Sequence, residues 1–242
     1  MIEARALSKD YSEGSSSIRN VNFTVSPGEV VGILGPQGAG KTTLLRMLAG
    51  IIVPTSGEGV VAGMSTQKDP FYLKNRVGYV SGDTSLPPQT TPRELLMQRG
   101  QLQGLALTEV ERRIEGLVNA FELEKLVDVP TSSLRPEQRQ RFNLARALLN
   151  DPPALILDDP THSLDMVGGH FVLLAIRAAR DAGKAVLLAT RSLSDAEYLC
   201  DRVLLMDRGE VVDQGTLAEM CTHAGARTFA EAVLRQLSRA SA

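Results

Sequence analysis

Eight consecutive residues constrain this chain more than any others. Gly35-Pro36-Gln37-Gly38-Ala39-Gly40-Lys41-Thr42 fit the spacing G-x-x-x-x-G-K-[ST] in full. They follow the apolar run Val30-Val31-Gly32-Ile33-Leu34 and precede a helical pattern from Thr42 to Ala49. A strand that is apolar at every position is one buried on both faces. Glycines at this spacing let backbone N–H groups turn inward, and the helix N-terminus adds positive partial charge. Lys41 supplies a point charge for phosphate oxygens and the Thr42 hydroxyl a ligand for Mg²⁺. Gly35, Pro36, Gln37, Gly38, Ala39, Gly40, Lys41, Thr42 and Thr43 are thus the candidate phosphate cradle. A glycine-rich turn without a ligand is the plainer reading. The strand before the motif and the helix after it argue against that.

A phosphate site of this kind needs an acid at the end of a second buried strand. Ala154-Leu155-Ile156-Leu157-Asp158-Asp159-Pro160 offers two. Asp158 is placed to hold Mg²⁺, directly or through water, and Asp159 to face an attacking water. Taken alone, these acids could be a solvated strand end.

The remainder sorts into alternating strands, a helical middle and a strand–helix succession. Ile2 to Leu7 and Val21 to Val25 alternate, as antiparallel strands with one wet face do. Pro92 to Ala120 is helical and polar-rich. Thr108 and Glu111 stand at capping-box spacing, which predicts a helix start there. A link at Pro130 to Ser133 precedes a helix from about Pro136 to Leu149. Ser163 to Arg180 reads as a long helix, Ala185 to Thr190 as a strand, and Ser194 to Cys200 as a helix capped by Ser194 and Glu197. Asp207-Arg208-Gly209 is a hairpin turn, and Thr228 to Arg239 an amphipathic helix. Strands alternating with helices imply a mostly parallel sheet covered on both faces.

At 242 residues the chain is long enough for one large domain, and 43 % hydrophobic residues exclude wholesale disorder. With 26 basic against 28 acidic side chains, it lacks the basic field of a nucleic-acid binder, and no nucleic-acid partner is expected. Cys200 and Cys221 are too few for a disulfide scaffold. No apolar run approaches the ~20 residues that cross a bilayer, and the first residues do not read as a signal peptide. The expectation is a cytoplasmic protein that works at a membrane only through a partner.

The order of the motifs resembles the ATP-binding-cassette (ABC) ATPase domain up to about residue 220. Tyr11 matches the aromatic that stacks on adenine in that family. Val77-Gly78-Tyr79-Val80 matches the strand entering the glutamine loop. Leu134-Arg135-Pro136-Glu137-Gln138 aligns with the L-S-G-G-Q signature, and Leu144-Ala145-Arg146-Ala147-Leu148 with its helix. Ser163-Leu164-Asp165 matches the D-loop. Cys200-Asp201-Arg202-Val203 looks most like cassettes of export systems.

The resemblance implies an α/β P-loop NTPase fold with a mostly parallel core sheet and an antiparallel β subdomain. It also implies a helical subdomain inserted at about 84–150 and a C-terminal helical extension at 221–242. It implies ATP and Mg²⁺ as cofactors. A second cassette, as homodimer or heterodimer, and a separate transmembrane permease subunit are the implied partners. The chain would then lie at the cytoplasmic face of a membrane. Thr42 and Asp158 are the metal ligands it implies. Tyr11, the cradle, Arg135, Glu137 and Asp165 are the implied nucleotide contacts, and Asp159, Lys41 and Arg191 the catalytic set.

Four positions depart from the family pattern. Gly82 stands at the glutamine of its loop, with Asp83 or Gln89 nearby as substitutes. Arg135-Pro136-Glu137 replaces Ser-Gly-Gly, and Pro136 removes an N–H donor while remaining comfortable in a first helical turn. Asp159 replaces glutamate and is one methylene short. Arg191 replaces the switch histidine and cannot accept a proton. These departures predict firm ATP binding and slow hydrolysis. The alternatives are a regulatory cassette with little or no turnover and a soluble ABC protein outside transport.

Overall fold

The computed structural model describes residues 1–11, 18–81, 84–162 and 164–240. Two sheets organise it. The smaller joins β1 (Ile2–Lys9), β2 (Ile18–Val25), β4 (Ser56–Val61) and β5 (Met64–Ser65), all antiparallel, in the order β2-β1-β4-β5. The larger contains β3 (Val30–Leu34), β6 (Val77–Ser81), β7 (Ala154–Asp158), β8 (Ala185–Ala189), β9 (Arg202–Asp207) and β10 (Glu210–Gly215). Its order is β10-β9-β3-β8-β7-β6, parallel throughout except for β10.

Residue parity in the parallel strands decides where the site forms. Leu155, Leu157, Val186 and Leu188 pack on one face of the large sheet with the helices. Ala154, Ile156, Leu187 and Ala189 pack on the other, with α1 (Lys41–Leu48) and the small sheet. Side chains two apart share a face. Asp158 therefore projects toward α1, the helix that begins at Lys41.

Register does the rest. Ala189 on β8 pairs with Ile33 on β3 and with Asp158 on β7, and Ser81 on β6 pairs with Asp158. The carboxyl ends of four adjacent parallel strands thus stop at one level. In open α/β sheets, ligands bind at that edge.

The middle of the chain forms α3 (Pro92–Leu102), α4 (Leu107–Ala120), a 3-10 turn at Thr131–Ser133 and α5 (Pro136–Leu148). α6 (Met166–Asp181) and α7 (Leu193–Leu199) alternate with the late strands. α8 (Leu217–Ala224) and α9 (Phe229–Ala240) close the chain and bury Met220, Phe229 and Val233 in the same core. α8 runs through residues 220 and 221, and the break falls at Gly225, with φ 62°. A four-residue helix, α2 (Pro70–Leu73), precedes β6.

Several local expectations shift. The capping box lies at Thr91 and Glu94, the start of α3. Thr108 already sits inside α4, whose N-cap, Ala106, makes no side-chain cap bond. Gly104, at φ +81°, separates the two helices. Ser192, two residues before Ser194, caps α7 by accepting from Asp195 N at 3.1 Å. Thr190 folds the chain there by accepting from Ser192 N at 3.0 Å. α6 begins at Met166 with Asp165 as its cap; Ser163, the predicted start, lies outside the described residues. In β1, Ile2, Glu3 and Ala4 are all buried: the strand lies between β2 and β4, and the Glu3 carboxylate on the wetter face is covered by Arg5, whose Nε donates to it at 2.9 Å; the alternation itself breaks further on, near Ala6 (φ 48°). The turn at Arg208 and Gly209 has positive φ at both positions, as a two-residue I′ hairpin requires.

Candidate functional site

β3 ends in the predicted cradle, and two glycines there have no substitute. A Cβ on Gly35 would lie 2.1 Å from the carbonyl oxygen of Met206. Gly40 is the N-cap of α1 at φ 98°, and a Cβ on it would lie 2.4 Å from Ile18 Cδ1. The turn is tied to the β9–β10 hairpin by Gly209 N donating to Ala39 O at 3.0 Å. Inside it, the Lys41 ammonium donates to Gly35 O at 2.7 Å and Pro36 O at 2.9 Å. Burial lowers the Lys41 pKa, with Asp159 and Asp158 opposing that shift and Arg191 adding to it.

A cleft of about 380 Å³ opens in front of this turn. Gln37 to Thr43, Ser81, Asp158, Asp159, His162, Ala189 and Arg191 line it. Asp158 is only 8 % exposed, and burial raises its pKa. The nearby Thr42 side chain partly offsets that rise. A buried carboxylate keeps its charge at a cost unless a cation or donors compensate. Thr42 and Asp158 together therefore suit a hard divalent ion. Among the described residues no cluster of three His, Cys, Asp or Glu could hold one. The remaining ligands of such an ion must come from phosphate and water, as is usual for Mg²⁺.

Asp159 follows with φ +49°, a left-handed backbone that Asp tolerates better than most residues. Its N–H donates to Ala189 O at 2.8 Å. Its carboxylate accepts from Arg191 Nε at 2.9 Å, and Arg191 Nη2 contacts His162 Nδ1 at 2.9 Å. Gln140 Nε2 donates to Pro160 O at 2.8 Å and Thr161 Oγ1 donates to Asp195 Oδ2 at 2.5 Å, which anchor the turn to α5 and α7.

The other predicted residues stand apart from this cleft. Tyr11 is exposed, with the Lys9 ammonium 5.4 Å from its ring centre. Arg135 and Glu137 pair at 3.2 Å at the start of α5, and the Gln138 side chain accepts from Arg135 N at 2.9 Å. Asp165 accepts from Gly168 N at 2.7 Å. It lines a second cleft of about 590 Å³ that shares Asp159, His162 and Arg191 with the first. Gln89 is exposed and absent from the lining, and Gly82 and Asp83 lie outside the described residues. His162 is the residue that sequence reasoning missed. Its signal was legible: the chain has three histidines, and one follows Asp159 by three while position 191 lacks the usual one.

A parallel sheet with a glycine-rich phosphate cradle and a facing acid pair defines a P-loop nucleotide-binding protein. The family model described as "ABC transporter" matches residues 18–162, and the chain belongs to that family. It is 35 % identical over 223 residues to the Nod factor export ATP-binding protein I of Ralstonia nicotianae, covering 92 % of this chain and 69 % of that protein. A solved structure described as an ATP-binding subunit of an ABC transporter superposes with a TM-score of 0.89 at 27 % identity, covering 98 % and 99 % of the two chains. A dimeric ATP-binding cassette in a post-hydrolysis state, bound to ADP and Pi, superposes at 0.79 with 28 % identity, covering 89 % and 98 %. No helix among the described residues is long and apolar enough to cross a membrane.

Proposed function

We propose that this chain is the ATP-hydrolysing subunit of an export-type ABC transporter, that it turns over slowly, and that it acts through a separate membrane-spanning partner. The observation that carries the reading is one cleft lined by Gln37 to Thr43 of the glycine-rich turn together with Asp158, Asp159 and Arg191. The cassette is residues 1 to about 220, with the helical subdomain at about 84–150; α8 carries the chain across that boundary, and the rest of the extension follows Gly225. The described Ralstonia relative is named for export, and one structural neighbour is a dimer with ADP and Pi, which supports the direction and the pairing.

Thr42 and Asp158 would hold Mg²⁺, which when bound would neutralise phosphate charge. The cradle and Lys41 take the phosphates, and Arg191 reaches the terminal one. Asp159 takes a proton from the water that attacks the terminal phosphorus, and ADP leaves. Asp159 begins this work paired to Arg191, so the base must be freed first. Tyr11 receives the adenine. Arg135, Glu137 and Asp165, which lie away from the cleft, face the second cassette. A carboxylate one methylene short and a signature carrying Glu137 both slow turnover.

The test is co-purification from membranes, with ATP affinity and hydrolysis measured separately, with and without the recovered partner. Submillimolar ATP binding, slow turnover and a multi-span partner support the reading; turnover near that of ordinary cassettes overturns the attenuation. The second reading is a regulatory cassette that binds ATP without turnover. The Arg191–Asp159 pair favours it, and hydrolysis that remains absent with the partner present would establish it.

A further inference from the structure

Arg191 is held from two sides. Its Nε donates to Asp159 Oδ2 and its Nη2 meets His162 Nδ1, each at 2.9 Å. A guanidinium has donors only and does not lose its proton. In this contact the imidazole is therefore the acceptor, at Nδ1.

The position of His162 is not left to chance. Its N–H donates to Asp159 O at 3.0 Å, closing a turn that begins with the left-handed Asp159. Gln140 and Asp195 pin that turn from α5 and α7. His162 and Arg191 both line the phosphate cleft and the cleft beside it, so the pair forms part of the wall between them.

We propose that His162 is a positioning residue for Arg191. It holds the guanidinium at the edge of the phosphate cleft, and the pair makes the site prefer a nucleoside triphosphate to a diphosphate. The proposal rests on the nucleotide reading of this cleft. Without a terminal phosphate, Arg191 stays on Asp159. With one, the guanidinium moves to the more highly charged group while Nη2 keeps its acceptor. Charge-assisted hydrogen bonds with fixed geometry are the strong ones, and a pre-held fork loses less freedom on engaging phosphate. A histidine thus serves the terminal phosphate from the turn after Asp159, acting through the arginine at position 191.

The experiment measures equilibrium affinity for ADP and for an ATP analogue with an imido β–γ bridge, in the full chain. His162→Ala lowers the triphosphate preference about fivefold, the value of one ordinary hydrogen bond in a solvent-accessible cleft. His162→Asn keeps an acceptor oxygen near the Nδ1 position and stays within about twofold of the parent. Arg191→Ala loses the preference, and adding His162→Ala to it changes nothing further, because neighbours acting through one another are non-additive. An unchanged preference in His162→Ala, or additive losses in the double variant, overturns the proposal. A parent chain that binds neither nucleotide overturns the nucleotide reading instead, and the pair's role with it.

Discussion

Arg191 donates from Nε to Asp159 Oδ2 at 2.9 Å, yet the two side chains are 44 % and 26 % exposed. An ion pair this open contributes about 0–1 kcal/mol to stability. Its significance is chemical, because it neutralises the carboxylate that faces the phosphate cleft.

Lengthening that carboxylate tests the attenuation directly. Asp159→Glu restores one methylene, and displacements of about 1 Å cost on the order of 10²-fold in rate. Phosphate release at saturating ATP should rise about tenfold or more. The left-handed φ of +49° suits Asp better than Glu, so the same variant should melt about 2 °C lower by calorimetry. Unchanged turnover would mean that side-chain length is not what limits the rate.

Lys41 currently satisfies the Gly35 and Pro36 carbonyls, both of which remain near solvent without it. Lys41→Ala should leave the melting temperature within about 2 °C of the parent and weaken ATP binding at least tenfold, roughly the worth of a charged contact. Isothermal titration and a thermal melt separate the two effects.

Asp158 is raised by burial, so the folded chain holds its proton more tightly than the unfolded one. The sign follows: stability from this group is present at low pH and is lost as pH rises through the raised folded value. In metal-free, nucleotide-free buffer near pH 7, Asp158→Asn should therefore melt about 2–4 °C higher than the parent. The gap should narrow toward acid. The same substitution should abolish the Mg²⁺-dependent part of ATP binding.

Two adjacent helical glycines should respond in opposite directions. Gly169 has open space where a Cβ would go, so Gly169→Ala gains about 0.5–1 kcal/mol of helix propensity. At Gly168 a Cβ would stand 3.0 Å from Glu137 Cβ and 3.1 Å from Asp165 Oδ1. Gly168→Ala should lower the melting temperature and disturb the contact of α5 with the start of α6. Chemical denaturation of the two variants is the check.

Much of the fold was legible along the chain. Val30–Leu34 reads as a doubly buried strand, Ala154–Leu157 as a buried strand and Ala185–Thr190 as a strand; in the sheet all fifteen positions of Val30–Leu34, Ala154–Asp158 and Ala185–Ala189 are buried. Short-range capping was less legible. Thr108 and Ser194 have the right neighbours at the right spacing, but a cap also needs an extended backbone at that residue. Thr91 and Ser192 have it. That conformation depends on where the preceding chain must leave the sheet, which lies outside a four-residue window.

By itself the sequence determined the chemistry available: a glycine turn that can wrap phosphate, a lysine and a threonine at its end, and acids after an apolar strand. These follow from residue type and spacing within one short segment each. Only the tertiary structure decided which segments meet. The order β3-β8-β7 brings the residues after Leu34, Ala189 and Asp158 to one edge, and parity turns Asp158 toward Thr42. The same edge sets Arg191 between Asp159 and His162, 32 and 29 residues away in sequence. No local pattern encodes that meeting, because strand order and register are set by burial across the whole sheet.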